Sequence, residues 1–297
     1  MTQTSPFAAL SDAIAAAAAA GAPLVGGLEW GGRHHISALL WGGEALVTSA
    51  QSLPEAEGYT AVLPGGARVP ALLAGRDPSS NLAVLRLAQP AQPEAPAAEP
   101  VGVGALALAL GSDGEGAATA RMGVIEALGP AWESQHGGRI DRLIRLGLRL
   151  EEAAEGGPVI DAAGRLLGMS TFGPRRRVLV IPAATIARVL PHLLREGRIR
   201  RGWLGVGLHP VTLPHDLAAR AGAGHGLMVV NIAAGAPTAG VLLPGDILLA
   251  IGDTAVATPR SVAAALGPER IGEAVTLHLL RGGVPAQASV TIAARPA

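Results

Sequence analysis

Between about Leu24 and Val180 the chain consists of short apolar runs cut by Gly, Pro and Asp, with no long helical period. The runs HISALLW (35–41), ALVTSA (45–50), YTAVL (59–63), LAVLRL (82–87) and ALALAL (105–110) have the length and residue content of strands. Pro64-Gly65-Gly66 and Asp161-Ala162-Ala163-Gly164 carry hairpin-turn chemistry. Many short strands at regular spacing predict an all-β barrel or sandwich. Residues 89–100 read as a Pro-rich surface loop. Residues 183–196 read as a helix with Ile186, Val189, Leu190, Leu193 and Leu194 on one face. Pro191 lies inside that helix and is expected to kink or split it.

A basic junction, GRIRR (197–201), separates this region from a second pattern. There a strand is expected at 203–208, a helix at 213–221, and strands at 226–232 and 246–251. A helix at 259–266 and strands at 273–281 and 286–293 follow. Thr258 before Pro259 suits an N-cap with Pro at the first helical position. The organisation expected is mostly β: a domain over 1–197, then a compact α+β domain over 202–295. A chain of 297 residues has room for both cores.

Composition narrows the function classes. No cysteine is present, which excludes disulfide scaffolds, thiolate metal sites and a cysteine nucleophile. The 23 basic residues, all Arg, balance 23 acidic ones, and only seven residues are aromatic (four Trp, one Tyr, two Phe). Neither a like-charge block nor a stacking platform for bases results, so nucleic acid is not an expected partner. His34 and His35 are neighbours on a strand and point to opposite faces. His136, His192, His209, His215, His225 and His278 show no HxxxH or HxH spacing, and no cofactor is expected. The arginines at 175–177, 195, 198, 200 and 201 read as solvated positions, not as a docking ridge.

The N-terminal stretch DAIAAAAAAGAPL (12–24) reads as an Ala-rich helix capped near Ser11-Asp12 and ended by Gly21 and Pro23. No basic residue precedes Arg33, so the positive start of a secretory signal is missing. On these grounds a cytoplasmic protein without a membrane span is expected, with the periplasm as the alternative.

Three segments, in order, resemble the HtrA/Deg family of trypsin-like serine proteases. Val47-Thr48-Ser49-Ala50-Gln51-Ser52-Leu53 resembles the strand end that carries the family's general-base His. The run from Gly75-Arg76-Asp77-Pro78 through Ser79-Ser80-Asn81-Leu82 to Ala83-Val84-Leu85 is similar to the segment whose Asp orients that His. Glu151-Glu152-Ala153-Ala154-Glu155-Gly156-Gly157-Pro158-Val159 resembles the segment of the nucleophilic Ser. GRLLGMST (164–171), VLVIPAATIARVL (178–190) and RGWLGVGL (201–208) follow the family too, and the resemblance spans about residues 8–295. It implies a trypsin-like double β-barrel followed by a PDZ domain.

The departures from that pattern govern what is expected of the chemistry. The resemblance places Gln51, Asn81 and Glu155 at the three triad positions, and Ala153 where the oxyanion loop has Gly. That chemistry needs a hydroxyl nucleophile, an imidazole to take its proton and a carboxylate to fix the imidazole. None of the three is present. The N–H groups at 153 and 155 are expected to face the carboxylate of Glu155, which opposes a developing oxyanion. Gln51 and Asn81 are able to pair amide to amide. An alternative uses the same residues as a dyad, with Glu155 as base on water and Gln51 steadying the oxyanion.

Arg201-Gly202-Trp203-Leu204-Gly205-Val206 resembles a PDZ carboxylate-binding loop. Such a loop holds a peptide's terminal carboxylate while the peptide adds as a strand to an open edge. Trp203, Leu204, Gly205 and Val206 are expected to form the loop and edge, with Val262 and Leu266 lining the side-chain pocket. The expectation is a catalytically inactive HtrA-like homologue that binds polypeptide C-termini or unfolded proteins as adaptor, regulator or holdase. Homo-oligomers, or hetero-oligomers with an active relative, are the assemblies the family resemblance implies.

Overall fold

The computed structural model describes residues 5–32, 34–88, 101–134 and 137–296. His136 and the Pro-rich stretch at 89–100 lie outside the described residues. The chain divides into two compact units, Met1–Arg198 and Ile199–Ala297.

The first unit opens with helix α1 (Pro6–Gly21), which starts earlier than Ser11-Asp12. Pro6 is pre-set for a helix start, where its missing N–H costs nothing. Ala17 and Gly21 are buried, and a side chain at 21 would strike Leu110 and Ile160. Six antiparallel strands follow: β1 (Val25–Trp30), β2 (His34–Trp41), β3 (Ala45–Ser49), β4 (Tyr59–Val62), β5 (Arg68–Asp77) and β6 (Leu82–Leu87). They close a barrel in the order β1-β2-β3-β6-β5-β4, with β4 returning to β1 through Gly27↔Val62, Leu28↔Ala61 and Glu29↔Thr60. Leu28, Leu40, Leu46, Leu53 and Leu85 fill it.

The second barrel uses β7 (Leu106–Ser112) and β8 (Ala118–Gly129), then a hairpin of β9 (Trp132–Glu133) and β10 (Arg139–Ile140) outside the barrel. It continues with β11 (Leu143–Leu146), β12 (Pro158–Asp161), β13 (Leu166–Phe172) and β14 (Val178–Pro182). Its circuit is β11-β14-β13-β12-β7-β8. Counted in chain order within its own six strands, this repeats the circuit of the first barrel. Closure leaves neither barrel with an open edge.

Both expected hairpins form. Leu63 donates to Ala67 at 2.8 Å across Gly65 and Gly66, which hold φ of +85° and +88°. Asp161 donates to Arg165 at 2.9 Å across Gly164. Helix α2 (Ala183–Glu196) runs through Pro191 as one helix and is not split. Its buried Ile186, Val189, Leu190 and Leu193 hold turns on both sides of the proline. Gly197, at φ +71°, ends it by donating to Leu193.

The second unit holds β15 (Gly202–Trp203), β16 (Val206–Thr212), α3 (His215–Ala221), β17 (His225–Ile232) and β18 (Ile247–Ile251). β19 (Thr254–Ala255), α4 (Pro259–Ala265), β20 (Ala274–Arg281), β21 (Val284–Thr291) and β22 (Ala293–Ala294) complete it. The main sheet runs β16-β17-β18-β20-β21, so β16 is an edge. The strand expected at 203–208 is broken at Leu204-Gly205. Gly205 adopts φ +73°, and a side chain there would meet the Ala236 Cβ at 2.3 Å. Thr258 and Ser261 cap α4 reciprocally, each side chain accepting the other's backbone N–H.

Candidate functional site

Both barrels contribute to one polar seam. Gln51 sits in the turn leaving β3, Asn81 in the β5–β6 turn, and Glu155 just after a 3₁₀ turn (Glu152–Ala154) before β12. Glu155 is 3% exposed. Its Oε1 accepts Gln51 Nε2 at 2.6 Å, Thr171 Oγ1 at 2.8 Å, Ser49 Oγ at 2.9 Å and the Phe172 N–H at 3.1 Å. Its Oε2 accepts the Ser52 hydroxyl. No cation pairs with it among the described residues. Four donors crowd Oε1 and one reaches Oε2, so the buried carboxylate is compensated by hydrogen bonds alone.

The amides are spent on the same network. Asn81 Nδ2 donates to Thr171 Oγ1 at 2.7 Å and Ser49 Oγ at 3.0 Å, while its Oδ1 accepts the Gln51 N–H at 2.8 Å. Gln51 Nε2 also donates to the Phe172 carbonyl at 3.0 Å. The expected amide-to-amide pair does not form. Asn81 holds the backbone of Gln51, and the side chain of Gln51 is drawn to the negative charge instead.

The oxyanion loop also differs from expectation. The N–H of Glu155 donates to the Glu152 carbonyl at 3.1 Å, and that of Ala154 to Glu151 at 3.1 Å. The Glu155 N–H therefore does not face its own carboxylate; the tight turn has already consumed it. Arg176 ties this turn to the seam, with its guanidinium 4.6 Å over the Phe172 ring and 2.8 Å from Glu152.

The glycines that follow are required by packing. A side chain at Gly156, φ +90°, would meet Thr48 Oγ1 at 2.2 Å and the Ser37 carbonyl at 2.4 Å; one at Gly157 would meet the Leu110 carbonyl at 2.0 Å. Sequence reasoning missed Ser49, Ser52, Thr171 and Phe172. The signal was available, because a carboxylate buried beside apolar strands needs donors, and hydroxyls flank Gln51 on both sides.

A cavity of about 510 Å³ opens beside the seam, lined by Gln51, Asn81, Trp132, Ile140, Phe172 and Pro174 among others. The buried Trp132 indole N–H has no partner among the described residues. No group of three His, Asp or Glu is placed to hold a metal ion among the described residues.

In the second unit, the N–H groups of Leu204 and Gly205 donate to no acceptor among the described residues. The Leu204 carbonyl accepts Thr238 Oγ1 at 2.7 Å and the Gly205 carbonyl accepts Ala233 at 2.8 Å, which pins the loop from behind. Trp203 ends β15, and Val206 begins the open edge. Val262 and Leu266 come together with Leu204 but are core residues, 8% and 7% exposed, with Val206 and Leu208 packed against them. Asp246 lies just before β18 and meets Arg281 at the end of β20. It takes Arg281 Nε at 3.0 Å and Nη2 at 2.7 Å, and the Leu243 N–H at 2.8 Å. Burial pulls its carboxyl upward, but the Arg281 hydrogen bonds, the Leu243 N–H and the Arg281 charge together hold it below its ordinary value.

Two closed six-stranded barrels with a site at their seam, followed by an α+β unit with an open edge, define a trypsin-like double barrel joined to a PDZ domain. Residues 36–169 match the trypsin-like peptidase domain family and residues 202–292 match the PDZ domain family. A probable periplasmic serine endoprotease, DegP-like, from Brucella suis is 30% identical over 264 residues, covering 84% of this chain and 50% of the relative. Its counterpart in Rhizobium meliloti is 28% identical over 264 residues, covering 84% and 51%. The chain thus spans about half the length of these curated relatives. Among solved structures, the HtrA-type protease AlgW with decapeptide superposes with a TM-score of 0.75 at 25% identity, covering 96% of this chain and 99% of that one. AlgW with tripeptide gives 0.73 at 27% identity, covering 96% and 98%. The chain is similar to DegP-like and HtrA-type serine endoproteases, with a trypsin-like double barrel followed by a PDZ domain.

The expectation of a cytoplasmic protein is overturned by the same relatives, whose names place them in the periplasm. That expectation leaned on the missing basic residues. Residues Pro6–Leu24 nevertheless have a mean hydropathy of 1.5 and are 17% buried, which passes the length-and-composition test shared by signal sequences and membrane spans.

Proposed function

We propose that this chain is a catalytically silent HtrA-like protein that binds polypeptide C-termini through its PDZ domain. Its role is that of an adaptor, regulator or holdase acting in the periplasm. One observation supports the loss of catalysis: the carboxylate of Glu155, at the position the resemblance gives to the nucleophile, is held by five donors, four of them on Oε1. A carboxylate already holding five donors is a poorer base toward water than a free one. Gln51, whose amide N–H groups are committed to Glu155, Thr171 and the Phe172 carbonyl, has none left for an oxyanion. Both points weigh against the Glu155/Gln51 dyad, although the two residues do meet.

Peptide binding is supported by the acceptor-free N–H groups of Leu204 and Gly205 beside an open strand edge, and by the peptides in the AlgW structures. As a regulator the chain would assemble with itself or with an active relative and present this edge to clients. The test is isothermal titration of the full chain with an apolar-ended peptide acid and its C-terminal amide. The acid should bind at micromolar Kd, because one added strand buries little surface. The amide should bind at least about ten-fold more weakly, having lost the charged acceptor. Equal affinities would reduce the PDZ domain to a packing module.

A further inference from the structure

The cavity beside the seam has a chemistry that the seam does not use. Its outer wall is the β9–β10 hairpin, where Trp132 faces Ile140 across the strand pair. Phe172, Leu179 and Ile181 of the second barrel continue the apolar lining. Most polar groups around it are already engaged. Ser79 and Ser80 donate their hydroxyls to Asp77, Thr171 donates to Glu155, and the Gln51 and Asn81 amides donate within the seam. Two donors remain. The Trp132 indole N–H is buried and has no acceptor among the described residues, which is costly unless a ligand supplies one. Arg76 spends one nitrogen on the Pro54 carbonyl at 3.3 Å and pairs with no carboxylate among the described residues.

Charge in this lining is one-sided. No acidic side chain contributes to it among the described residues. Asp77 and Glu155, on neighbouring segments, are 5% and 3% exposed and lie behind their own donors. Arg175 and Arg177, exposed in the turn that follows Pro174, pair with no carboxylate either among the described residues. Apolar walls, one unanswered N–H and an unneutralised guanidinium suit an apolar body that ends in an anion. A volume of about 510 Å³ lies within the range of small-molecule sites.

We propose that this cavity binds a small arylalkyl carboxylate. The carboxylate accepts from the Trp132 N–H in the field of Arg76, and the ring packs against Phe172 and Ile140, where an aromatic body gains most. The inference goes beyond peptide binding and does not rest on it, because every residue it uses belongs to the first unit.

Isothermal titration of the full chain with 4-phenylbutyrate and its uncharged twin, 4-phenylbutanamide, tests this. The acid should bind with a Kd at or below about 1 mM, the range open to so small a ligand, and the amide at least about ten-fold more weakly. Trp132→Phe keeps an aromatic wall without the donor and should weaken the acid at least about five-fold. Arg76→Gln should bring acid and amide within about two-fold of each other. A second readout needs no change at Trp132. One of the four Trp indole N–H resonances of the wild-type chain should shift when the acid is added, and Ile140→Trp, which fills the cavity and leaves both donors in place, should abolish that shift. No binding of the acid up to about 10 mM, equal affinities for acid and amide, or an affinity that neither Trp132→Phe nor Ile140→Trp moves would overturn the proposal. None of these outcomes bears on peptide capture by the second unit.

Discussion

The side-chain amide of Gln51 donates to the carboxylate of Glu155 at 2.6 Å, across the seam between two barrels. In the function proposed above, these two positions correspond to the general base and the nucleophile of the family this chain resembles. Here a neutral donor faces an acceptor, and the contact ties the two barrels to one another.

A fluorophosphonate serine-hydrolase probe should leave the protein unlabelled, since position 155 has no hydroxyl. Glu155→Ser alone should not cleave casein, because Gln51 cannot accept the proton. The triple change Gln51→His, Asn81→Asp, Glu155→Ser restores the side chains and cleaves only if the Glu155–Glu152 turn reopens. Stoichiometric labelling of the wild-type chain, read by mass spectrometry of the modified peptide, would contradict this account of position 155.

The network makes Glu155 a stability residue. Glu155→Ala strands the Ser49, Gln51 and Thr171 side chains and should cost about 2–4 kcal/mol. Glu155→Gln keeps an oxygen for the Oε1 partners, and Ser52 is able to turn and accept from the new amide, so about 1–2 kcal/mol is expected. Urea unfolding of both variants checks the order. An alanine variant as stable as wild type would show that the five contacts carry no net energy.

Much of this was legible beforehand, and for identifiable reasons. The strands read correctly because LAVLRL and its neighbours are apolar runs between turn residues, and Gly-Gly-Pro after Glu155 reads correctly because those glycines are demanded by Thr48, Ser37 and Leu110. The placement of the Gln51 side chain did not read correctly, because a pairwise view set it against Asn81. A buried charge attracts every donor within reach, and which donors those are depends on folding positions 49, 52, 171 and 172 together. Pro191 misled for a related reason, since four buried neighbours on α2 outweigh a single missing hydrogen bond.

Gly156→Ala should be among the most disruptive single changes in the first unit. It combines a backbone at φ +90° with contacts of 2.2 and 2.4 Å to Thr48 and Ser37, and a loss of at least about 2 kcal/mol is expected. The loss should be measurable by thermal unfolding. A neutral effect would show that the seam relaxes easily.

Acid should weaken the PDZ domain through Asp246. Its folded-state carboxyl lies below its ordinary value, so its contribution is complete above the unfolded value of about 3.9 and is lost as pH falls through the folded one. Asp246→Asn should therefore destabilise by about 1–3 kcal/mol at neutral pH, discounted because Arg281 is partly exposed. The difference from wild type should shrink once the carboxyl is protonated. A penalty of equal size at all pH values would assign the effect to packing instead of charge.

The most direct measurement is hydrolysis of denatured casein by the purified wild-type chain, followed by mass spectrometry from about pH 3 to 9. The account predicts no cleavage above a no-protein control anywhere in that range. Cleavage with an acidic optimum, abolished by either Glu155→Gln or Gln51→Ala, would contradict it and install the two residues as a working dyad.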